Sequence, residues 1–306
     1  MSNQKVILGS FFCIASACLW GISGAAGQYI FHNANITPEW LVGSRMLVTG
    51  LLLLTFTQIK KGGILRIWTE KTDRKDILIF ALVGMLFVQY AYFVAINFSN
   101  AATATVLQYL APIIIVVYLA FRQKKLPTII ECCSVAGALI GTVLLATHGN
   151  LNSLSLSPTA LFWGLLSAFA LAFYTVYPAR LLSRYDTMLL IGWAMLIGSA
   201  AMNLLHPFWQ WQGNWDMISI SCFAFIIILG TVVPYLMFLN GVKYIGPTKS
   251  SLYASVEPLS STIVSVLWLK VHLEPVDYIG FFFIIITVLM LSFAKPKSSQ
   301  TKPTET

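Results

Sequence analysis

Residues Thr248–Lys270 read TKSSLYASVEPLSSTIVSVLWLK, and their reading decides the fold. The stretch is apolar enough, and at 23 residues long enough, to cross a bilayer as a helix. One carboxylate, Glu257, stands near its middle, followed at once by Pro258. A charge at membrane depth is costly and faces a polar interior, a partner or a pathway. The proline removes one backbone donor and leaves the carbonyl a turn earlier without its helical partner. Such a break persists where backbone is buried in protein or lines a cavity. Every other Asp or Glu falls in a loop or near a helix end, so Glu257 is the one acidic group expected deep in the membrane.

Working outward, 58% of the 306 residues are hydrophobic and only 10% are charged. Soluble domains carry roughly 25% charged residues, so the composition implies an all-α polytopic membrane protein. The formal charge of +8 sits in short loops between apolar runs, which reads as membrane orientation and not as a nucleic-acid surface. The five cysteines, Cys13, Cys18, Cys132, Cys133 and Cys222, fall in or beside apolar runs and are expected to be small buried hydrophobes. The four histidines, His32, His148, His206 and His272, lie in the opposite loops without ligand spacing, so no metal and no cofactor is expected. The first apolar run lacks a small-residue cleavage site and reads as a retained helix.

Ten apolar spans are expected, at about 7–30, 37–58, 77–97, 101–121, 128–147, 159–180, 187–206, 218–240, 248–269 and 276–294. The connector 59–76 is polar and basic, and the tail 295–306 is expected to be disordered. With ten spans, seventeen of the nineteen Lys and Arg fall on one side, Lys270 alone on the other, and Arg45 within a span. That asymmetry puts both termini in the cytoplasm and the chain in the cell membrane.

The two halves resemble each other. Residues 95–112, AINFSNAATATVLQYLAP, run parallel to 241–258, GVKYIGPTKSSLYASVEP, with Pro112 and Pro258 lying 146 positions apart. Each proline is followed by an apolar run, a short loop containing Leu and Pro, and a helix with an early glycine (Gly137, Gly280) that ends in TVLL or TVLM. Five spans is an odd number, so the second copy crosses upside down. Inverted repeats are typical of secondary transporters, with the substrate site near the midplane between copies. The expected units are 1–147, 148–294 and the tail.

Glu257 lies about eight residues, roughly 12 Å, from the cytoplasmic end of its helix, and Arg45 a similar distance from the outer end of its own. In a core of about 30 Å their depths differ by only about 6 Å. Glu257 is expected to bind a substrate amine or a proton. Arg45 is expected to bind a carboxylate, to pair permanently with Glu257, or to snorkel outward. Tyr253 shares the Glu257 face at four residues' spacing. Thr105, Gln108 and Pro112 share a face, as do Tyr90 and Asn97, while Tyr174 and Tyr177 lie three apart and Trp20 opens a glycine-rich stretch. These residues could line an aromatic pocket with polar tips, while plain packing is the favoured reading of any single aromatic one and stands level with the pocket for Gln108 and Tyr253. Gly21, Gly24 and Gly27 allow close helix approach; without a preceding strand or a lysine they form no phosphate loop.

Taken together the chain resembles the drug/metabolite transporter superfamily in its ten-helix form with two EamA-type repeats. The likeness rests on Ala17-Cys18-Leu19-Trp20-Gly21, Pro38 with Arg45, Leu110-Ala111-Pro112, Ala172-Phe173-Tyr174, Val256-Glu257-Pro258 and Leu273-Glu274-Pro275, and it covers about residues 7–294. Basic Arg122-Gln-Lys-Lys replaces an acidic residue that often precedes the fifth helix in that superfamily. The resemblance implies a 5+5 inverted bundle around a central cavity, and export or exchange of small metabolites, often amino acids. Protons are the expected coupling ion, through Glu257. An integral-membrane enzyme acting on a lipid or small metabolite is the alternative, but the scattered histidines and the absence of HExxH or a nucleophile–base pair supply no chemistry for it. A passive channel commonly needs oligomeric symmetry or a charged ring, whereas this chain carries its own pseudo-twofold.

Overall fold

The computed structural model describes residues 3–111, 113–115, 117–118, 128–148, 150, 156–245, 253–254 and 256–293. Among these there is no strand. The helices are α1 (Asn3–Asn33), α2 (Pro38–Lys61), α3 (Lys71–Phe98), α4 (Ala101–Gln108), α5 (Ile129–Thr147), α6 (Pro158–Val176), α7 (Ala179–Arg184) and α8 (Thr187–Leu205). Then follow α9, built of Met217–Ile227, Ile228–Val232 and Val233–Ile245, α10 (Val256–Leu267) and α11 (Pro275–Phe293). Six helical stretches among the described residues are long and apolar enough to cross a membrane, and four further apolar helices are shorter.

Polar loop residues start the helices by satisfying their orphan amides. Thr37 receives the Trp40 N–H ahead of Pro38, and Ser157 receives the Ala160 N–H ahead of Pro158. Asn100, Asp186 and Asp216 do the same for Thr103, Met188 and Ser219. The Ser219 hydroxyl and amide hold the Asp216 carboxyl below the usual carboxylate range. At the end of α2, Gly62 adopts φ 66° and its N–H returns to the Gln58 and Thr57 carbonyls.

Helices α3 and α9 each contain a π-helical stretch, Phe80–Leu86 and Ile228–Val232. Such turns carry extra residues per turn and rotate the downstream faces relative to an uninterrupted α-helix.

The packing is pairwise. Helix α2 lies on α8, α5 on α11, α1 on α9 and α10, and the second part of α3 on α6. Two buried apolar clusters result. The larger includes Ala25, Met46, Phe80, Phe93, Met195 and Ile226; the smaller, between α4, α5, α6 and α11, includes Val106, Leu107, Leu145, Ala168 and Ile284. The outward faces remain apolar, with Phe11, Ile59, Ile129, Phe162 and Leu204 all exposed, as lipid contact requires.

One expectation needs revision, and some positions fall outside the described residues. Cys132 and Cys133 are exposed, because α5 packs mainly against α11 and leaves its other faces outward. The connector 59–76 is mostly structured: α2 continues to Lys61, Ile64–Trp68 forms a 3₁₀ turn, and Trp68 packs edge-on against Trp193 at 5.1 Å. The Trp193 indole N–H donates to the Ile64 carbonyl at 2.8 Å, which pins the turn to α8. Pro112, the Arg122-Gln-Lys-Lys loop, Lys249 and the tail lie outside the described residues.

Candidate substrate and proton site

Helix α1 approaches the start of α10 at Gly21. A Cβ built there would meet Ser260 Oγ at 2.0 Å, the Glu257 carbonyl at 2.7 Å and the Ser261 amide nitrogen at 2.8 Å. Only glycine permits this, so the small residue of α1 brings the backbone of Glu257 into the bundle. On the same helix a Cβ at Gly24 would lie 2.5 Å from the Tyr92 hydroxyl.

Three more helices supply polar groups to this place. Tyr92 of α3 lies 2.7 Å, hydroxyl to hydroxyl, from Thr105 of α4. Thr105, fully buried, donates to the Ala101 carbonyl at 2.7 Å and sits 3.3 Å from Ser261 Oγ of α10. Gln28 of α1 caps the first amide of α4 by accepting from Ala101 N at 2.8 Å. Tyr109, where α4 tightens into 3₁₀-type turns ahead of Pro112, reaches across to α10. Its hydroxyl lies 2.6 Å from the Ala254 carbonyl and 3.0 Å from Glu257 Oε2. Glu257 is half-buried, and among the described residues it has no cationic partner within 4.0 Å.

Arg45 does not pair with Glu257, nor does it snorkel. It is 6% exposed, its guanidinium lies 4.9 Å above the Phe93 ring, and its Nε has no hydrogen-bond partner. Tyr92 and Tyr235 are each within electrostatic reach of both Arg45 and Glu257. The depth estimate brought the two charges to similar levels, but depth does not fix the direction in which each side chain leaves its helix.

Of the other expected site residues, Trp20 packs on Tyr235 at 5.5 Å and Phe238 at 5.3 Å. Tyr174 stacks on Phe80 at 5.5 Å and lies near Tyr235. Gln108 is buried at the end of α4, and Tyr253 is half-buried one turn before Glu257. Tyr90 is turned elsewhere: its hydroxyl donates to Glu39 at 2.8 Å and its ring meets Trp163 edge-on. Tyr92, two residues on, is the α3 tyrosine that reaches Thr105. Asn97 is half-buried near the end of α3, where Asn100 and not Asn97 caps α4. Tyr177 leaves the group, donating to Asp76 at 3.2 Å. His148, expected to have no particular role, lies with Nδ1 2.5 Å from Asp277.

Sequence reasoning passed over Tyr92, Tyr109, Tyr235 and Ser261. Tyr109 had a readable signal, since it lies four residues after Thr105 and four residues share a helical face.

A large cleft of about 880 Å³ lies elsewhere, lined by Val83, Phe87, Ile114, Phe169 and Phe173 among others. Its lining is almost wholly apolar and faces outward between α3 and α6, so the polar centre at Glu257 is the better candidate for recognising a solute.

The model of the EamA-like transporter family matches residues 7–147 and 158–293. The chain is 39% identical over 287 residues to the uncharacterized inner membrane transporter YicL of Salmonella typhimurium, covering 93% of this chain and 95% of that protein. It is 24% identical over 238 residues to the uncharacterized transporter YdfC of Bacillus subtilis, covering 76% and 74%. A solved crystal structure at 16% identity superposes with a TM-score of 0.62, covering 95% of this chain and 98% of that one, a likeness of fold.

Proposed function

This chain belongs to the EamA-like transporter family, and from that premise we propose that it is a secondary transporter exporting a small organic metabolite, an amino acid or related amine, by alternating access. The observation that carries the reading is Glu257: a carboxylate at a proline break, half-buried, held by one tyrosine hydroxyl and without a cationic partner among the described residues. An ionised carboxylate withdrawn from water needs a partner. A substrate ammonium or a proton would supply it. Arg45, buried over Phe93 with Nε unpaired, offers the complementary site for a substrate carboxylate. Tyr253, Gln108, Thr105, Trp20 and Tyr174 would shape the space around them, with Tyr90 and Asn97 further toward the outer end.

The architecture proposed with this is ten spans, the six long helices plus the four shorter ones, as two inverted five-helix repeats, 1–147 and 148–294. Two features support it. The π-helical stretches of α3 and α9 correspond, with Gly84 and Gly230 separated by the same 146 positions as Pro112 and Pro258. The packing pairs also exchange under that correspondence: α1 on α9 answers α6 on α3, while α2 on α8 and α5 on α11 map onto themselves. The Lys and Arg distribution puts both termini in the cytoplasm of this reading.

Counterflow tests the carrier directly. Purified protein in proteoliposomes preloaded with a panel of amino acids and amines is expected to accumulate one labelled class saturably. Uptake that does not saturate, or turnover without net movement, would overturn the reading.

A further inference from the structure

The Tyr109 hydroxyl faces two acceptors, the Ala254 carbonyl at 2.6 Å and Glu257 Oε2 at 3.0 Å. A phenol has one proton to give. Ala254 has a particular need of it, because Pro258 stands four residues later and has no N–H to return to the Ala254 carbonyl. A carbonyl can only accept. The shorter contact therefore takes the Tyr109 proton, and the 3.0 Å contact sets one oxygen against another. That second contact is favourable only when Glu257 itself carries a proton and donates it to Tyr109. Both hydrogen bonds are satisfied together in the protonated state of Glu257 alone.

We propose that Tyr109 is a positioning residue that links the proton on Glu257 to the backbone break at Pro258. This rests on reading Glu257 as the working carboxyl. With Glu257 protonated, its O–H donates to Tyr109 and Tyr109 donates to Ala254, closing the turn that the proline left open. When Glu257 loses its proton to the water-filled side or to an arriving solute, the carboxylate becomes the stronger acceptor. The Tyr109 O–H then rotates to it. No bond of the tyrosine breaks, but the Ala254 carbonyl is released and the chain ahead of Pro258 loses its tie to Tyr109.

The other titratable or charged groups around Glu257 leave this exchange to Tyr109. Helix α1 brings Cys18, whose carbonyl lies 3.5 Å from Ser260 Oγ. Helix α3 brings Tyr92, engaged with Thr105; α9 brings Tyr235; α2 brings Arg45, which lies over the Phe93 ring. Among the described residues none of these hydrogen-bonds to either acceptor, and none can replace the missing amide at Ala254.

Hydrogen–deuterium exchange of the full-length protein in nanodiscs, read on the peptide covering 253–258 and corrected for intrinsic exchange rates, tests this without any substrate. In the parent, protection of that peptide should fall about tenfold, the equivalent of one hydrogen bond, as pH rises through the titration of Glu257. Glu257→Gln, whose amide donates to Tyr109 at any pH, should stay protected throughout. Tyr109→Phe should be unprotected throughout, while peptides of α2 and α8 exchange as in the parent. If Tyr109→Phe keeps the parental pH dependence while Glu257→Gln loses it, the Tyr109 link is wrong and Glu257 remains the titrating group. If Glu257→Gln keeps it, Glu257 is not the titrating group and the reading beneath the proposal falls as well. Should Tyr109→Phe fail to fold, Pro258→Ala is the second arm: it returns a backbone N–H to the Ala254 carbonyl and should stay protected at every pH, and a parental pH dependence there would overturn the Tyr109 link.

Discussion

Asp73 and Glu257 are both carboxylates withdrawn from the surface, and they are partnered in opposite ways. Asp73, at the first turn of α3, is fully buried and saturated: Arg180, Arg184 at 2.9 Å and the Tyr185 hydroxyl at 2.6 Å all converge on it. Its neighbour Asp76 takes the other arm of Arg180 at 2.8 Å. Together with Lys61–Asp186 at 2.5 Å, these pairs join helices of the first half of the chain to helices of the second at the Lys- and Arg-rich end of the bundle. Glu257 has one hydroxyl and no cation among the described residues. The difference separates structure from work. A carboxylate whose lone pairs are all taken holds parts together, while one left short of partners is available to a solute or a proton.

Breaking the saturated site should cost the most. Asp73→Asn leaves two half-exposed guanidiniums and the Tyr185 hydroxyl facing a neutral group and should lower stability by roughly 3 kcal/mol, as weakening several charge-assisted hydrogen bonds to one buried acceptor does, measurable as a lowered thermal unfolding temperature in detergent. An unchanged melting temperature would show that the arginines find other partners and would erase the contrast. Next comes the approach that brings Glu257 into the bundle. Gly21→Ala forces a Cβ against the Glu257 carbonyl and should destabilise by about 1–3 kcal/mol, with loss of transport beyond what the melting shift explains. A smaller effect is expected from Tyr92→Phe, which removes the Thr105 contact at a cost of about 1 kcal/mol; a double-mutant cycle with Thr105→Val checks that the two losses are one. Least of all, Lys61→Ala removes a pair in which Lys61 is 60% exposed, and should change stability by no more than about 0.5 kcal/mol, vanishing in high salt.

Much of this fold could be read from hydropathy alone. The expected spans at 37–58 and 187–206 coincide closely with Pro38–Lys61 and Thr187–Leu205. Apolar length and polar caps are local properties, so sequence carries them. Glu257, Thr105 and the close approach at Gly21 were legible for the same reason: a lone charge, helical spacing and small residues each speak without tertiary context. What escaped depended on azimuth. The Arg45–Glu257 pair failed because depth along a helix says nothing of the direction in which each side chain points, and Arg45 lies over Phe93. Tyr92 was passed over in favour of Tyr90 on a helix whose π-helical stretch at Phe80–Leu86 rotates everything beyond it. The roles of Asp73 and His148 required knowing which loops meet, and that is decided by packing far along the chain.

The pH profile of counterflow in proteoliposomes, compared between the parent and Glu257→Gln, tests the central claim most directly. If the under-partnered carboxyl is the working group, the substitution leaves the protein as thermally stable as the parent while its flux loses pH dependence. A Glu257→Gln protein that transports with the parental pH profile would contradict the account.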